Sequence, residues 1–220
     1  MNILQINSSI FASGGQSTRL ADAFVAQLAR GQAAQVTVRD LAQEPLPHLD
    51  GERFAAFLTK PAERTVAQQA DVVYSDRLIE ELRAADVIVI GVPMYNFGIP
   101  SQLKAWFDHV ARAGVTFRYT ETGPEGLLKG KKTYVFSTRG GQYAGTERDS
   151  ETTHVRDFLA LLGLTDVTFV YAEGLALGEA TRQARLTDAQ ATIQRLAAAR
   201  REDGHSGPRH RSATSQSSPA

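Results

Sequence analysis

Five short apolar runs punctuate the chain: "NILQIN" (Asn2–Asn7), "AQVTVR" (Ala34–Arg39), "DVIVIG" (Asp86–Gly91), "KTYVFST" (Lys132–Thr138) and "DVTFVYA" (Asp166–Ala172). Each is short, β-branched and bounded by turn formers, which predicts buried parallel strands. Between them the apolar period lengthens to that of a helix. "QSTRLADAFVAQLARG" repeats Leu20, Phe24, Val25 and Leu28 and stops at Gly31. "TVAQQADVVYSDRLIEELRAA" repeats Val66, Val73, Leu78 and Leu82, and "SQLKAWFDHVARAG" repeats Leu103, Phe107, Val110 and Ala111 before Gly114. "SETTHVRDFLALLG" and "EATRQARLTDAQATIQRLAAAR" complete the set. Strand and helix alternating in this way predict an α/β three-layer sandwich around a five-stranded parallel sheet. For five strands the natural order is 2-1-3-4-5.

Two segments fall outside the alternation. Val115–Gly130 contains the turn signal "TGPEG" and is expected to form a small hairpin or flap. From Arg201 onward the chain reads "REDGHSGPRHRSATSQSSPA", with no apolar side chain except alanine. Such a segment cannot offset its ordering entropy by burial. The expected division is therefore one domain over 1–200 and a disordered tail over 201–220.

Composition narrows the chemistry. Lysine plus arginine equal aspartate plus glutamate, 24 each, so net charge draws the chain neither to nucleic acid nor to an anionic membrane. No run approaches the ~20 apolar residues of a membrane span. The start, "MNILQINSS", lacks the pattern of a secretory signal, so a cytoplasmic protein is expected. With no cysteine there is no disulfide, thiolate nucleophile or iron–sulfur cluster, and the five histidines show no metal-ligand spacing. Redox chemistry on this chain requires a bound organic cofactor.

Doubly wound sheets hold ligands beyond the carboxyl ends of their strands, where the strand order reverses. In the expected order that point lies between the first and third strands, so the loops after the first, third and fourth strands should converge. The first, "SSIFASGGQST", brings Ser9, Gly15, Gln16 and Ser17 to the start of a helix with no acidic residue, which suits a phosphate. Ser17 alone also suits a plain helix cap. The next, "VPMYNFGIP", places Met94, Tyr95, Asn96 and Phe97 between Pro93 and Pro100, which suits a flat ring held by a stiff turn. The last, "STRGGQYAGT", offers Thr138, Arg139, Gly140 and Gly141, whose backbone can approach a ligand closely. One phosphate and one flat ring describe FMN. The spacing of G-x-G-x-x-G is missing, which argues against a dinucleotide fold, and "GLLKGKKT" lacks the hydroxyl and the preceding strand of a phosphate-binding loop.

At this point the chain resembles the bacterial FMN-dependent NADH-azoreductases, also described as NADH:quinone oxidoreductases, of the flavodoxin-like superfamily. The resemblance runs from Met1 to Ala199 and is carried by "SSIFASGGQST", "DLAQEPLPHLDG", "DVIVIGVPMYNFGIPSQLKAWFDHVARAGVTFRYTETGPEGLLKGKK", "STRGG" and "FVYAEGLALG". It implies one FMN per subunit and an active site at a homodimer interface. It carries phosphate contacts onto Ser9 and Gly15 to Ser17, and flavin-ring contacts onto Met94 to Phe97 and Thr138 to Gly141. Some members have His where this chain has Tyr143, so no catalytic role passes to that residue.

The implied mechanism is ping-pong. NADH gives hydride to flavin N5, NAD⁺ leaves, and a quinone or azo compound takes the hydride in the same slot. The protein need not supply an acid, a base or a nucleophile, and no metal is expected. It positions rings and offers N–H groups, from Gly140 and Gly141, to charge growing on the N1–C2=O side. Phe117, Tyr119 and Phe158 are the expected slot walls. The alternative is a flavodoxin-type electron carrier without enzymatic activity, which NADH would fail to bleach. A signalling receiver domain is set aside, because Asn7-Ser8-Ser9 stands where clustered acids would hold magnesium.

Overall fold

The computed structural model describes residues 1–205. Seven strands and six α-helices follow in the order β1 (Asn2–Asn7), α1 (Gln16–Ala29), β2 (Gln35–Asp40), α2 (Gly51–Leu58), α3 (Val66–Ala84), β3 (Val87–Pro93), α4 (Ser101–Val110), β4 (Phe117–Thr120), β5 (Gly123–Gly126), β6 (Lys132–Thr138), α5 (Ser150–Leu162), β7 (Asp166–Ala172) and α6 (Glu179–His205). The main sheet runs β2-β1-β3-β6-β7, every pair parallel. With the hairpin strands set aside, that is the expected order 2-1-3-4-5.

The period of two in β3 makes the middle layer. Val87 and Val89 face one side, where they meet Leu20, Phe24 and Leu28 of α1 and Ile193 of α6. Ile88, Ile90 and Val92 face the other, against Leu78 and Leu82 of α3, Leu103 and Trp106 of α4 and Leu159 of α5. All seven residues of β3 are buried, as a central parallel strand requires. Gly91 belongs to this fit. A Cβ there would stand 3.1 Å from the Ser17 carbonyl oxygen, so the missing side chain lets the start of α1 rest on the sheet.

Four expectations change. The second strand is shifted by one residue and is an edge strand, with Val36 and Val38 exposed instead of buried. Helix α2 was not in the predicted set: of its residues only Ala56 is buried, so it carries no core-facing stripe to betray it. Val66 and Val73 do not belong to the buried stripe of α3, which is Val72, Ser75, Leu78, Ile79 and Leu82. Finally α6 continues through His205, past the boundary expected after residue 200. The remainder of the expected disordered tail, 206–220, lies outside the described residues.

The Val115–Gly130 segment is the antiparallel hairpin β4–β5. It lies at the amino ends of the sheet strands. Leu128 N–H donates to the Leu162 carbonyl at 2.9 Å at the end of α5, and Arg83, at the end of α3, donates to the Val115 carbonyl at 3.0 Å.

Candidate functional site

The loops after β1, β3 and β6 leave adjacent strands at the same end of the sheet and are joined to one another. Ser8 Oγ donates to the Gly91 carbonyl at 2.7 Å, holding the first loop to the end of β3. Ser9 Oγ lies 3.3 Å from the Tyr95 hydroxyl, linking the first loop to the second. Met94 N–H donates to the Thr138 carbonyl at 2.9 Å, linking the second to the third. Ser150 Oγ donates to the Phe97 carbonyl, and the Phe97 ring meets Tyr143 edge-on at 5.4 Å.

In the first loop, Gly15 stands before α1 in an extended conformation and gives no side-chain cap. The N–H groups of Gln16, Ser17 and Thr18 therefore keep the free donor capacity of a first helical turn. Ser17 Oγ and Thr18 Oγ1 are buried without any partner among the described residues. An orphaned buried hydroxyl costs about 1–3 kcal/mol. At the start of a helix, with no acidic side chain between Ser8 and Thr18, such donors fit a phosphate. The absence of a side chain at Gly15 is required, because a Cβ would overlap Ser9 Cβ and Oγ.

In the second loop, Tyr95 and Gly98 exchange both backbone hydrogen bonds, at 3.0 Å each. Asn96 (φ 51°) and Phe97 (φ 65°) form the tip between them, both left-handed. That is the two-residue turn normally built from Asn-Gly. Here the second position is phenylalanine, 51% exposed. A bulky residue in this conformation is strained by about 1–2 kcal/mol. The turn thus presents an aromatic ring and two main-chain N–H groups from a fixed frame.

The third loop differs from expectation at Arg139. Its side chain is wholly buried, makes ion pairs with Asp149 (2.8 Å) and Glu173 (3.2 Å), and lies 3.3 Å from the Glu151 carboxyl. Its N–H donates to the Ala172 carbonyl and its own carbonyl accepts from Leu175. Arg139 is a fastening within the loop and offers no free group to a ligand. Burial opposes its charge, but the acidic side chains around it, Asp149 foremost, outweigh burial and raise its pKa. Gly140 and Gly141 use their carbonyls internally, toward Ala176 and Gly174. Their N–H groups make no hydrogen bond within the loop and remain as donors. A Cβ on Gly141 would stand 2.5 Å from the Tyr143 hydroxyl, so the phenol packs directly on this glycine. Thr138 is buried at the end of β6.

The expected slot walls do not assemble in one chain. Phe117 and Tyr119 belong to the hairpin at the opposite end of the sheet, and Phe158 stacks on Phe107 with ring centres 3.7 Å apart. Sequence reasoning also missed the acids that converge on Arg139. Asp149 was legible as the cap of α5, where it accepts Thr152 N–H at 3.1 Å, but nothing in the spacing pairs it with Arg139.

A family model described as flavodoxin-like fold matches residues 1–197. The FMN-dependent NADH:quinone oxidoreductase 6 of Burkholderia lata is 57% identical over 192 residues, 87% of this chain and 97% of that protein. Among solved structures, an FMN-dependent NADH-azoreductase from Bacillus anthracis in complex with FMN aligns with TM-score 0.77 at 25% identity, covering 90% of this chain and all of that one. Azoreductase AzrA aligns with TM-score 0.83 at 24% identity, covering 90% and 100%; at that identity the likeness is one of fold. The chain belongs to the flavodoxin-like family that these relatives share.

Proposed function

We propose that the protein is an FMN-dependent NADH:quinone oxidoreductase that also cleaves aromatic azo compounds reductively to amines. The observation that carries the reading is Ser17: a buried, unpartnered hydroxyl at an uncapped helix start, in a loop that Ser9 links to Tyr95 of the strained aromatic turn. The name of the 57%-identical relative supports it. FMN, when bound, supplies a hydride carrier that takes from NADH and gives to an acceptor.

This chain's own residues do the rest. Gln16 and Ser17 N–H and Ser17 Oγ would hold the phosphate, with Ser9 beside them. The N–H groups of Asn96, Phe97, Gly140 and Gly141 would hold the polar edge of the ring, at no reorganisation cost. Met94, Tyr95 and Phe97 limit water at its face. Thr138 stands behind the glycine pair. A slot bounded by rings and backbone distinguishes flat from non-flat acceptors better than one acceptor from another, which suits both quinones and azo compounds. Use of NADH as donor fits a cytoplasmic site of action. No described helix is long and apolar enough to cross a membrane.

We also propose a homodimer. Phe54, Leu58, Val66 and Val73 on α2 and α3 are exposed apolar side chains, a pattern that marks association surfaces. Sedimentation at micromolar concentration should give twice the chain mass; a monomer refutes this part.

The central test is direct. Purified protein should be yellow, anaerobic NADH should bleach it, and benzoquinone should restore the colour. Initial rates with both substrates varied should give parallel lines. A flavin that NADH does not bleach returns the electron-carrier reading. A protein that takes up no FMN ends both.

A further inference from the structure

The loop carrying Gly140 and Gly141 is fastened by one buried cation. Arg139 at its start reaches Asp149 at its end and Glu173 beyond β7. Glu173 in turn accepts the N–H groups of Tyr143 (2.8 Å) and Ala144 (2.9 Å) in the middle of the loop. A third carboxyl, Glu151 in the first turn of α5, is 2% exposed. Its Oε1 accepts from Ser137 Oγ at 2.6 Å and from Arg139 Nη2 at 3.3 Å. Its Oε2 is buried with no partner.

Asp149 and Glu173 already outnumber the one guanidinium. Among the described residues, the surrounding elements add no second cation to Glu151. Arg156 of α5 lies over Phe169, His154 stacks on Phe107, and Tyr171 of β7 meets Thr152 at 3.1 Å while its ring lies beneath Arg139. Burial raises the Glu151 carboxyl to about 7, against the pull of Ser137 and Arg139.

We propose that Glu151 is a positioning residue for the cofactor: it holds a proton behind the third loop, and releasing that proton to solvent adds an anion that competes with Asp149 and Glu173 for Arg139. The N–H groups of Gly140 and Gly141 then lose their fixed aim. The inference rests on the FMN reading above.

The test compares FMN dissociation constants at pH 6 and pH 8, by fluorescence titration, for the full chain and for Glu151→Gln. If only the protonated form is competent, the constant rises by up to about tenfold in the native protein, through the fall in competent fraction. The glutamine variant, neutral at both pH values, lacks that rise. FMN's own phosphate titrates equally in both, so the difference isolates Glu151. Equal pH dependence overturns the proposal, as does a variant that binds FMN poorly at pH 6 although folded. Amide hydrogen exchange over residues 140–146 without FMN, corrected for intrinsic rate, supplies a second readout. Protection should fall between pH 6 and 8 in the native chain only. If neither protein binds FMN, the functional reading fails and exchange still decides this one. If the variant does not fold, a native loop equally protected at both pH values overturns it.

Discussion

The turn Tyr95–Gly98 makes a prediction whose sign opposes the usual one. Phe97 has φ 65°, where a Cβ is disfavoured. Replacing it by alanine removes the ring but keeps the strain. Two contributions go with the ring: the edge contact to Tyr143 at 5.4 Å, about 0.5–1.5 kcal/mol, and burial of half a phenyl group, about 1 kcal/mol. Replacing it by glycine loses the same contacts and releases about 1–2 kcal/mol of backbone strain. Against that, glycine gains freedom in the unfolded chain, about 0.4–1 kcal/mol. The balance leaves Phe97→Gly more stable than Phe97→Ala by about 0.5–1 kcal/mol, or roughly 1–4 °C in Tm for a domain of this size. At ordinary positions alanine is the more stable of the two. Paired thermal melts without FMN decide it. An alanine variant as stable as the glycine variant refutes the argument from strain. Both variants should also bind FMN less tightly than the native protein, because both lack the ring.

Three further outcomes are expected. Ser17→Ala should leave the FMN-free protein equally stable or up to about 1 kcal/mol more stable, since it removes an orphaned hydroxyl, yet weaken FMN binding about tenfold or more by deleting a bond to a charged group; calorimetry checks both signs. Gly15→Ala should destabilise the protein by about 1–3 kcal/mol and weaken FMN binding, because its Cβ overlaps Ser9, and urea melts measure the first effect. The pKa of Glu151, raised by burial to about 7, gives stability that is fully present below about 4.5 and lost as pH rises through about 7. The span corresponds to about 3 kcal/mol, so the native protein should lose about that much relative to Glu151→Gln between those pH values, as followed by denaturation at each pH.

The sheet was legible because its inner strands β1, β3 and β6 are buried on both faces and so read as continuous apolar runs. β1, β6 and β7 fall where Asn2–Asn7, Lys132–Thr138 and Asp166–Ala172 predicted. β2 was misjudged because a run's apolarity does not say whether a neighbour covers it. α2 escaped because Phe54 and Leu58 point to solvent, so its pattern is not that of a core helix. In the candidate site, the three loops could be named from composition and topology together. The role of Arg139 could not, because Asp149, Glu151 and Glu173 meet it only through the parallel pairing of β6 with β7 and the placement of α5. The hairpin aromatics were misplaced for a related reason. Val115–Gly130 follows α4, and α4 carries the chain away from the switch point before the hairpin begins.

The backbone departures from local rules share a place, and several of the buried polar atoms without partners stand beside them; Arg53, His109, Thr133 and Arg200 carry others elsewhere. Among the described residues, the non-glycine positions with positive φ are Ala12, Asn96 and Phe97, all in the first two loops. Ser17, Thr18 and Glu151, with buried polar atoms lacking partners, stand at the starts of α1 and α5, the two helices that follow the first and third loops. A sequence under selection for stability alone would place alanine at 17, where the buried hydroxyl has no partner. The core beneath the loops tolerates the strain, since β3 and the helices on both its faces are fully packed. An anion at α1 would relieve the hydroxyls, and a ring against Phe97 would cover an exposed aromatic. FMN should therefore raise Tm by an amount that grows with its concentration. The rise should shrink in Ser17→Ala, where one of the defects that FMN relieves has already been removed.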